Sequence, residues 1–200
     1  MNYLSTPIAS LIFIFTIAIS FYSLYINQRI IEKFALHPYS VVRGKKLTSV
    51  VMSGFLHSDL THLLFNMISF YFFAFALESY INSLNFAIIY FGSMIIANIP
   101  TILEHKNNYR YYSLGASGAI SGIIFSMILI NPFMKMIIFP IPFPLPAIVF
   151  GVLYLLWSYF AARRNEDFVN HSAHFWGALS GVIITIILEP ATISTFIQSF

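Results

Sequence analysis

The chain has 200 residues, of which 58% are hydrophobic and 8% charged, with no cysteine. Roughly a quarter of a soluble domain's residues carry charge, so the composition excludes a soluble globular domain, a disordered chain and a disulfide scaffold, and makes lipid the solvent for most of the chain. The net charge of +3 rests on ten basic and seven acidic side chains, which is loop charge and no footprint for nucleic acid.

A helix needs about 20 apolar residues to cross a bilayer, and charge is costly at its centre. Six long gaps lie between successive Asp, Glu, Lys and Arg: 1–28, 60–77, 79–103, 111–134, 136–162 and 168–188. They predict an all-α polytopic membrane protein, a single membrane domain over residues 1–200. Its six helices are expected at about 6–27, 56–79, 83–103, 115–131, 147–162 and 171–189.

The first span has no basic residue before it and no clear small-residue cleavage site after it, so it reads as a retained anchor. The longest loop, Arg29 to Ser53, mixes Lys and Arg with Leu36, Tyr39, Val41, Val42 and Leu47. It is expected to lie partly in the membrane interface. The second helix is expected to start before Asp59, which places Asp59 near a membrane surface or in a polar cavity. The fourth helix is short, and Gly115 to Gly122 is too polar and small for a lipid-facing wall. Between Phe139 and Pro146 four alternating prolines forbid a helix and favour an extended connection.

Polar groups inside spans cost free energy unless paired, so they point to a site. Three clusters stand out. His57, His62 and Asn66 open the second helix. His62 and Asn66, four apart, share a face, whereas His57 falls about 140° away from His62 on a helix. That spacing is poor for chelation, and Asn is a poor ligand for zinc or copper. Two readings fit His62 and Asn66: hydrogen-bond donors into a shared cavity, or glue between helices.

The second cluster is Ser113-Leu-Gly115-Ala-Ser117-Gly118-Ala-Ile-Ser121-Gly122. Small residues at 118, 122 and 126 let another helix approach closely. Ser117, between glycines at a helix start, has an accessible hydroxyl beside free amides. It reads as a nucleophile with part of an oxyanion hole, or as packing alone. The third cluster is His171-Ser-Ala173-His174-Phe-Trp-Gly177-Ala-Leu-Ser-Gly181. His174, Gly177, Ala178 and Gly181 share a face. If the glycines pack on the fourth helix, His174 meets Ser117 as a general base; a structural His is the other reading. His171, nearer the helix start, reads as interfacial. All three clusters open even-numbered helices, which run in one direction, so they fall at one membrane side and similar depth.

With these motifs in order, the chain resembles the rhomboid intramembrane serine proteases over about residues 5–189. His57-Ser58-Asp59-Leu60-Thr61-His62-Leu63-Leu64-Phe65-Asn66 resembles that family's histidine–asparagine motif, and Gly115-Ala116-Ser117-Gly118 its GxSG. Ala173-His174-Phe175-Trp176-Gly177 with Gly181 resembles its AHxxGxxxG. The resemblance implies a six-helix rhomboid-like bundle and a Ser117–His174 dyad without a third carboxylate. No Asp or Glu occurs in the fourth or sixth span before Glu189, which fits such a dyad. It further implies oxyanion stabilisation by the Ser117 amide, His62 and Asn66. Gly115, Gly118, Gly122, Gly177, Gly181 and His57 are expected to pack the site. Substrates would be transmembrane segments of other proteins, with the fifth helix and the loop 163–170 as gate and cap. No metal or cofactor is implied, and the expected partners are membrane-protein substrates and the bilayer.

Two departures from the family pattern stand out. The first loop reads Val42-Arg43-Gly44-Lys45-Lys46, without the Trp-Arg pair many members carry. Ser121 stands where many bacterial members place an aromatic that stacks on the catalytic His.

Charge and resemblance disagree on orientation. Nine of the ten basic residues (Arg29, Lys33, Arg43, Lys45, Lys46, Lys106, Arg110, Arg163 and Arg164) lie on the site's side, and only Lys135 lies opposite. The positive-inside rule puts that side in the cytoplasm. The resemblance implies an extracytoplasmic site in a bacterial-type plasma membrane, and that orientation is the one expected here. The alternative function is a catalytically inactive rhomboid-like protein that binds transmembrane clients, although such proteins usually lack the Ser or the His. A zinc protease would need a motif such as HExxH, and no His is followed by Glu. A transporter or channel would need charges deep in several spans or paired half-helices.

Overall fold

The apolar runs fold as helices in the predicted order. A computed structural model describes residues 5–138, 141–164 and 169–200. The long helices are α1 (Pro7–Tyr25), α5 (Leu60–Ile81), α6 (Ser83–His105), α8 (Ala147–Arg164) and α9 (His171–Leu188). All five are long and apolar enough to cross a membrane. The sixth apolar helix, α7 (Ser117–Ile130), has only 14 residues. At about 1.5 Å per residue it spans about 21 Å, short of the ~30 Å hydrocarbon core. Twelve of its residues are buried, so protein surrounds it and its short length faces little lipid. An all-α polytopic bundle describes the result, with one small hairpin added.

The start of α5 corrects one expectation. The helix begins at Leu60 and not near residue 56, because Asp59 is its N-cap: Oδ1 accepts the His62 N–H at 2.8 Å. A capping carboxylate satisfies an amide that has no intrahelical acceptor, and this outweighs continuing the apolar pattern. The His62 amide, and after it the Ser58 hydroxyl, hold the Asp59 carboxyl below the usual carboxylate range. His57 therefore lies outside the helix, and a 140° helical separation from His62 does not apply. The two rings meet edge to face with centroids 4.9 Å apart. His57 is fully buried under α1, its Nδ1 2.9 Å from Ser20 Oγ.

The other end of α5 holds the charge that ended a charge-free gap. Glu78 is 2% exposed and accepts the Ile8 and Ala9 amides at 3.1 and 2.6 Å. Those are orphan donors of the first turn of α1, where helix polarity also favours an anion.

The Arg29–Ser53 loop folds into α2 (Arg29–Phe34), α3 (Pro38–Val41) and α4 (Ser49–Met52), followed by a 3-10 turn over Ser53–Phe55. Leu36 and Ser113 exchange two backbone hydrogen bonds of 3.0 Å. His37 Nε2 donates to the Tyr109 carbonyl at 2.9 Å, and its ring stacks on Tyr112. The Arg43 guanidinium lies over the Tyr39 ring and donates to the Lys106 carbonyl. The loop is thus tied to the segment that leads into α7, with Arg43 anchoring it where the Trp-Arg pair is missing.

At the opposite end the Pro-rich segment is not a lone extended connection. Its strand β2 (Ile141–Pro146) pairs antiparallel with β1 (Lys135–Ile138). A two-stranded hairpin has only edge strands, which tolerate proline. Phe139 and Pro140 lie outside the described residues, as do positions 165–168 of the expected cap. A short helix, α10 (Ala191–Gln198), follows α9.

Two outcomes follow. Glu78→Ala strands two amides in the bundle and is expected to cost about 2–4 kcal/mol, seen as a lower thermal unfolding temperature. Burial, reinforced by His62, lowers the His57 pKa from 6.5 to about 3, so the folded state keeps this ring neutral. Its stabilisation is complete above pH 6.5 and is lost as pH falls toward 3. At pH 5 the loss is about 2 kcal/mol. Unfolding temperature should drop between pH 7 and 5, and His57→Gln should flatten that drop.

Candidate active site

The site begins with a contact between two helices. Gly118, Gly122 and Ser126 of α7 face Gly177, Gly181 and Thr185 of α9. A Cβ at Gly177 would collide with the Gly118 carbonyl, and one at Gly181 with the Gly122 carbonyl. Below them Thr185 Oγ1 donates to Ser126 Oγ at 2.8 Å. The single Ser126 hydroxyl hydrogen is in turn shared between the Gly122 and Gly181 carbonyls, at 2.8 and 3.2 Å. Helix α6 closes the third side: Ala97 Cβ would lie 2.8 Å from a Cβ placed on Gly118.

Ser117 is the first residue of α7, and the first intrahelical bond runs from Ile120 N–H to the Ala116 carbonyl. The amides of Ser117, Gly118 and Ala119 thus lack acceptors within the helix. Gly115 has φ +116°, a conformation that favours glycine, and its N–H donates to the Ser53 carbonyl at 3.0 Å. The His62 ring fills the space where a Gly115 Cβ would point, with Nε2 only 2.7 Å from it and Asn66 Nδ2 3.9 Å away. Helix α5 therefore delivers its two polar side chains beside the turn that precedes Ser117.

Their hydrogen bonds are defined. Ser58 Oγ donates to Asp59 Oδ2 at 2.8 Å and lies 3.2 Å from His62 Nδ1. A hydroxyl has one hydrogen, so while Ser58 donates to Asp59 it can only accept from the Nδ1–H of His62. Asn66 Nδ2 spends one hydrogen on the His62 carbonyl at 3.1 Å and keeps a second.

A cavity of about 1460 Å³ opens over this point, and Ser117, His174, His62, Asn66, Gly115 and Gly118 all line it. His171, at the start of α9, lines it as well and is 4% exposed, so it lies deeper than an interfacial residue would. Gly122, Gly177, Gly181 and His57 lie outside its lining; the glycines hold the helices together and His57 packs against His62. His174 stands beside Ala173, whose carbonyl would lie 3.4 Å from a Gly118 Cβ. The residues that the sequence singled out on three helices meet at one end of the bundle.

Two further contributors carried weaker signals. Asn170 caps α9, with Oδ1 accepting the Ala173 N–H at 3.0 Å, while Nδ2 donates to Thr101 and Ser113 at 3.0 and 3.3 Å. An Asn directly before an amphipathic run is a readable N-cap, but its reach to α6 and to the segment before α7 is not. Tyr154 of α8 stacks on the His174 ring at 6.3 Å and 20°, and its hydroxyl is 2.8 Å from Ser121 Oγ. Nothing in the apolar pattern of α8 distinguishes it. Among the described residues no group of three metal-ligating side chains comes together.

A family model of the rhomboid domain matches residues 44–191. The chain is 27% identical over 158 residues to Rhomboid protein 1, mitochondrial, of Saccharomyces cerevisiae, across 78% of this chain and 45% of that protein. It is 46% identical over 68 residues to the putative rhomboid protease YdcA of Bacillus subtilis, across 34% of this chain and 33% of that protein. In both cases the match spans less than half of the relative's length. The matched domain takes in the starts of α5, α7 and α9 around the cavity, together with the glycine contact beneath it, and on this evidence the chain belongs to the rhomboid family.

Proposed function

We propose that the chain is an intramembrane serine endopeptidase that cleaves transmembrane segments of other membrane proteins. The observation that carries this reading is the convergence of Ser117, His174, His62 and Asn66 on one cavity beside the glycine contact of α7 and α9. Family membership and a relative named as a putative protease support it.

In this reading His174 takes the Ser117 hydroxyl proton as Oγ attacks the scissile carbonyl, forming a tetrahedral oxyanion. Collapse breaks the C–N bond, and His174 gives its proton to the departing amine. Water then attacks the acyl-Ser117 ester, again losing a proton to His174, and the acid leaves. The Ser117 amide and the second Asn66 hydrogen donate to the oxyanion. His62 adds a third donor from Nε2. The neutral ring donates there in the tautomer that carries its proton on Nε2, and Nδ1 then accepts from the Ser58 hydroxyl 3.2 Å away.

The proposed orientation puts the cavity on the extracytoplasmic side of a bacterial-type plasma membrane, against the weight of the basic loops. With six crossings, both chain ends then face the cytoplasm.

A fluorophosphonate probe is expected to label the wild type and not Ser117→Ala, which should also lose cleavage of membrane substrates while staying folded. Cleavage persisting in that variant rejects the dyad. His174→Ala should behave alike, and Asn66→Ala should lose about 100- to 1000-fold in kcat, the usual cost of one oxyanion donor. A reporter active only in the cytoplasm, fused after Phe200, should give strong signal. Silence with full-length fusion present reverses the orientation.

A further inference from the structure

Two aromatic pairs, each spaced i, i+3, face one another across the α8–α9 interface. Tyr154 and Trp157 of α8 have ring centroids 6.2 Å apart, and His171 and His174 of α9 have theirs 5.9 Å apart. Across the interface Tyr154 stacks on His174 at 6.3 Å and 20°, and Trp157 meets His171 edge-on at 4.6 Å and 86°. The four rings close a circuit with the His174 imidazole at one corner. Tyr154 is itself fixed, because its hydroxyl is 2.8 Å from Ser121 Oγ, one turn beyond Ser117 on α7. Ser121 is buried, so this bond lies away from competing water. Ring pairs at such separations prefer offset-stacked or edge-to-face geometry, which sets the plane of a ring as well as its place.

We propose that Tyr154 is the positioning residue for the general base: it fixes the plane of the His174 ring, and Ser121 fixes Tyr154. The proposal rests on the reading of Ser117 and His174 as the catalytic pair. It also gives Ser121 a role. The small hydroxyl leaves room over His174 for a ring from another helix and supplies the hydrogen bond that holds that ring. The ring comes from α8, in which only Ala147, Gly151 and Ser158 are buried. The orientation of the base therefore depends on α8 lying against α7. Outward displacement of α8 takes the ring off His174 and breaks the Ser121 bond in the same motion.

The test uses the full chain in bilayers, with the fluorophosphonate probe and a fluorogenic transmembrane peptide that the wild type cleaves. Tyr154→Leu is expected to lower kcat about 30- to 100-fold with KM little changed, the scale of loss that a misplacement of about 1 Å produces. Tyr154→Phe keeps the ring and should recover most of this, ending about three- to tenfold below wild type in kcat. Ser121→Ala should match Tyr154→Phe, and the double variant should be no worse than either, because all three lack the same bond. Probe labelling should slow in parallel with kcat. Wild-type kcat in Tyr154→Leu, a loss confined to KM, a rise in kcat, or Tyr154→Phe as impaired as Tyr154→Leu each overturns the proposal. Should Tyr154→Leu fail to fold, Tyr154→Phe and Ser121→Ala decide: equal threefold or larger losses in kcat support it, and unchanged kcat overturns it. Failure of the dyad itself shows elsewhere, as labelling or cleavage that persists in Ser117→Ala.

Discussion

The structure depends on the backbone contact between α7 and α9. In lipid no hydrophobic effect drives one apolar helix onto another, so association rests on close packing and on hydrogen bonds that lipid cannot replace. Gly118 and Gly122 supply the close packing against Gly177 and Gly181, and the Thr185–Ser126 hydroxyl chain supplies the bonds one turn further down. Each element recurs at four-residue spacing on both helices. The contact therefore fixes axial register as well as distance, since a slip of one residue would drive side chains into carbonyl oxygens. Ser117 precedes the first small residue of one stripe, and His174 lies three residues before the first glycine of the other. Their meeting at the cavity is a consequence of that register.

A polar cavity beside hydrocarbon needs its own physical account. Hydroxyl, amide and imidazole groups are costly in lipid, yet several converge here. The short α7 removes the difficulty. Its start lies recessed among the surrounding helices, and the space above is lined by polar residues of α5, α6 and α9 and by the segment between α6 and α7. Irregular backbone at membrane depth is tolerated where protein buries it or where it lines a cavity. The turn at Gly115 meets that condition: its amide is satisfied by Ser53, and the His62 ring covers its open side. Asp59 and Asn170 do related work at α5 and α9, each capping a helix whose first turn borders the cavity.

Much of this was legible in the sequence because scarce charge made the spans countable. Helices α1, α6, α8 and α9 each run largely inside one charge-free gap, and the small-residue stripes predicted the close approach of α7 and α9. What escaped is what charge counting cannot resolve. Glu78 ended a gap, but nothing in the count of charges shows that it is buried against the α1 amides. The second helix is expected to start before Asp59, whereas the Asp59 side chain competes with the backbone and starts the helix instead. The ties between Leu36 and Ser113 and between His37 and Tyr109 span more than 70 residues, so no local pattern announces them. Ser121 was readable as a departure from the family, but the ring that stacks on His174 comes from another helix.

The helices divide into two groups by how firmly they are held. Protein surrounds α7 on nearly every side, and α9 places its small residues against α7 while α6 closes the seam. That trio carries Ser117 and His174. Helix α8, by contrast, exposes Val149, Val152, Leu153, Leu156, Trp157 and Phe160 along its length. It packs on the trio along one narrow face, through Ala147, Ile148, Gly151, Tyr154 and Leu155 beside Phe125, Ile128 and Ala178, and through Trp157 against His171. A helix held so lightly moves at lower cost than one locked by backbone contact along a glycine seam, because fewer packed atoms must separate. Any transmembrane segment that reaches the cavity from lipid has to displace some part of this wall. The firm contacts hold the helices that carry Ser117 and His174 in register while the yielding one stands at the periphery. The backbone of His174 is thereby set against α7, while the ring that stacks on it comes from the more lightly packed helix.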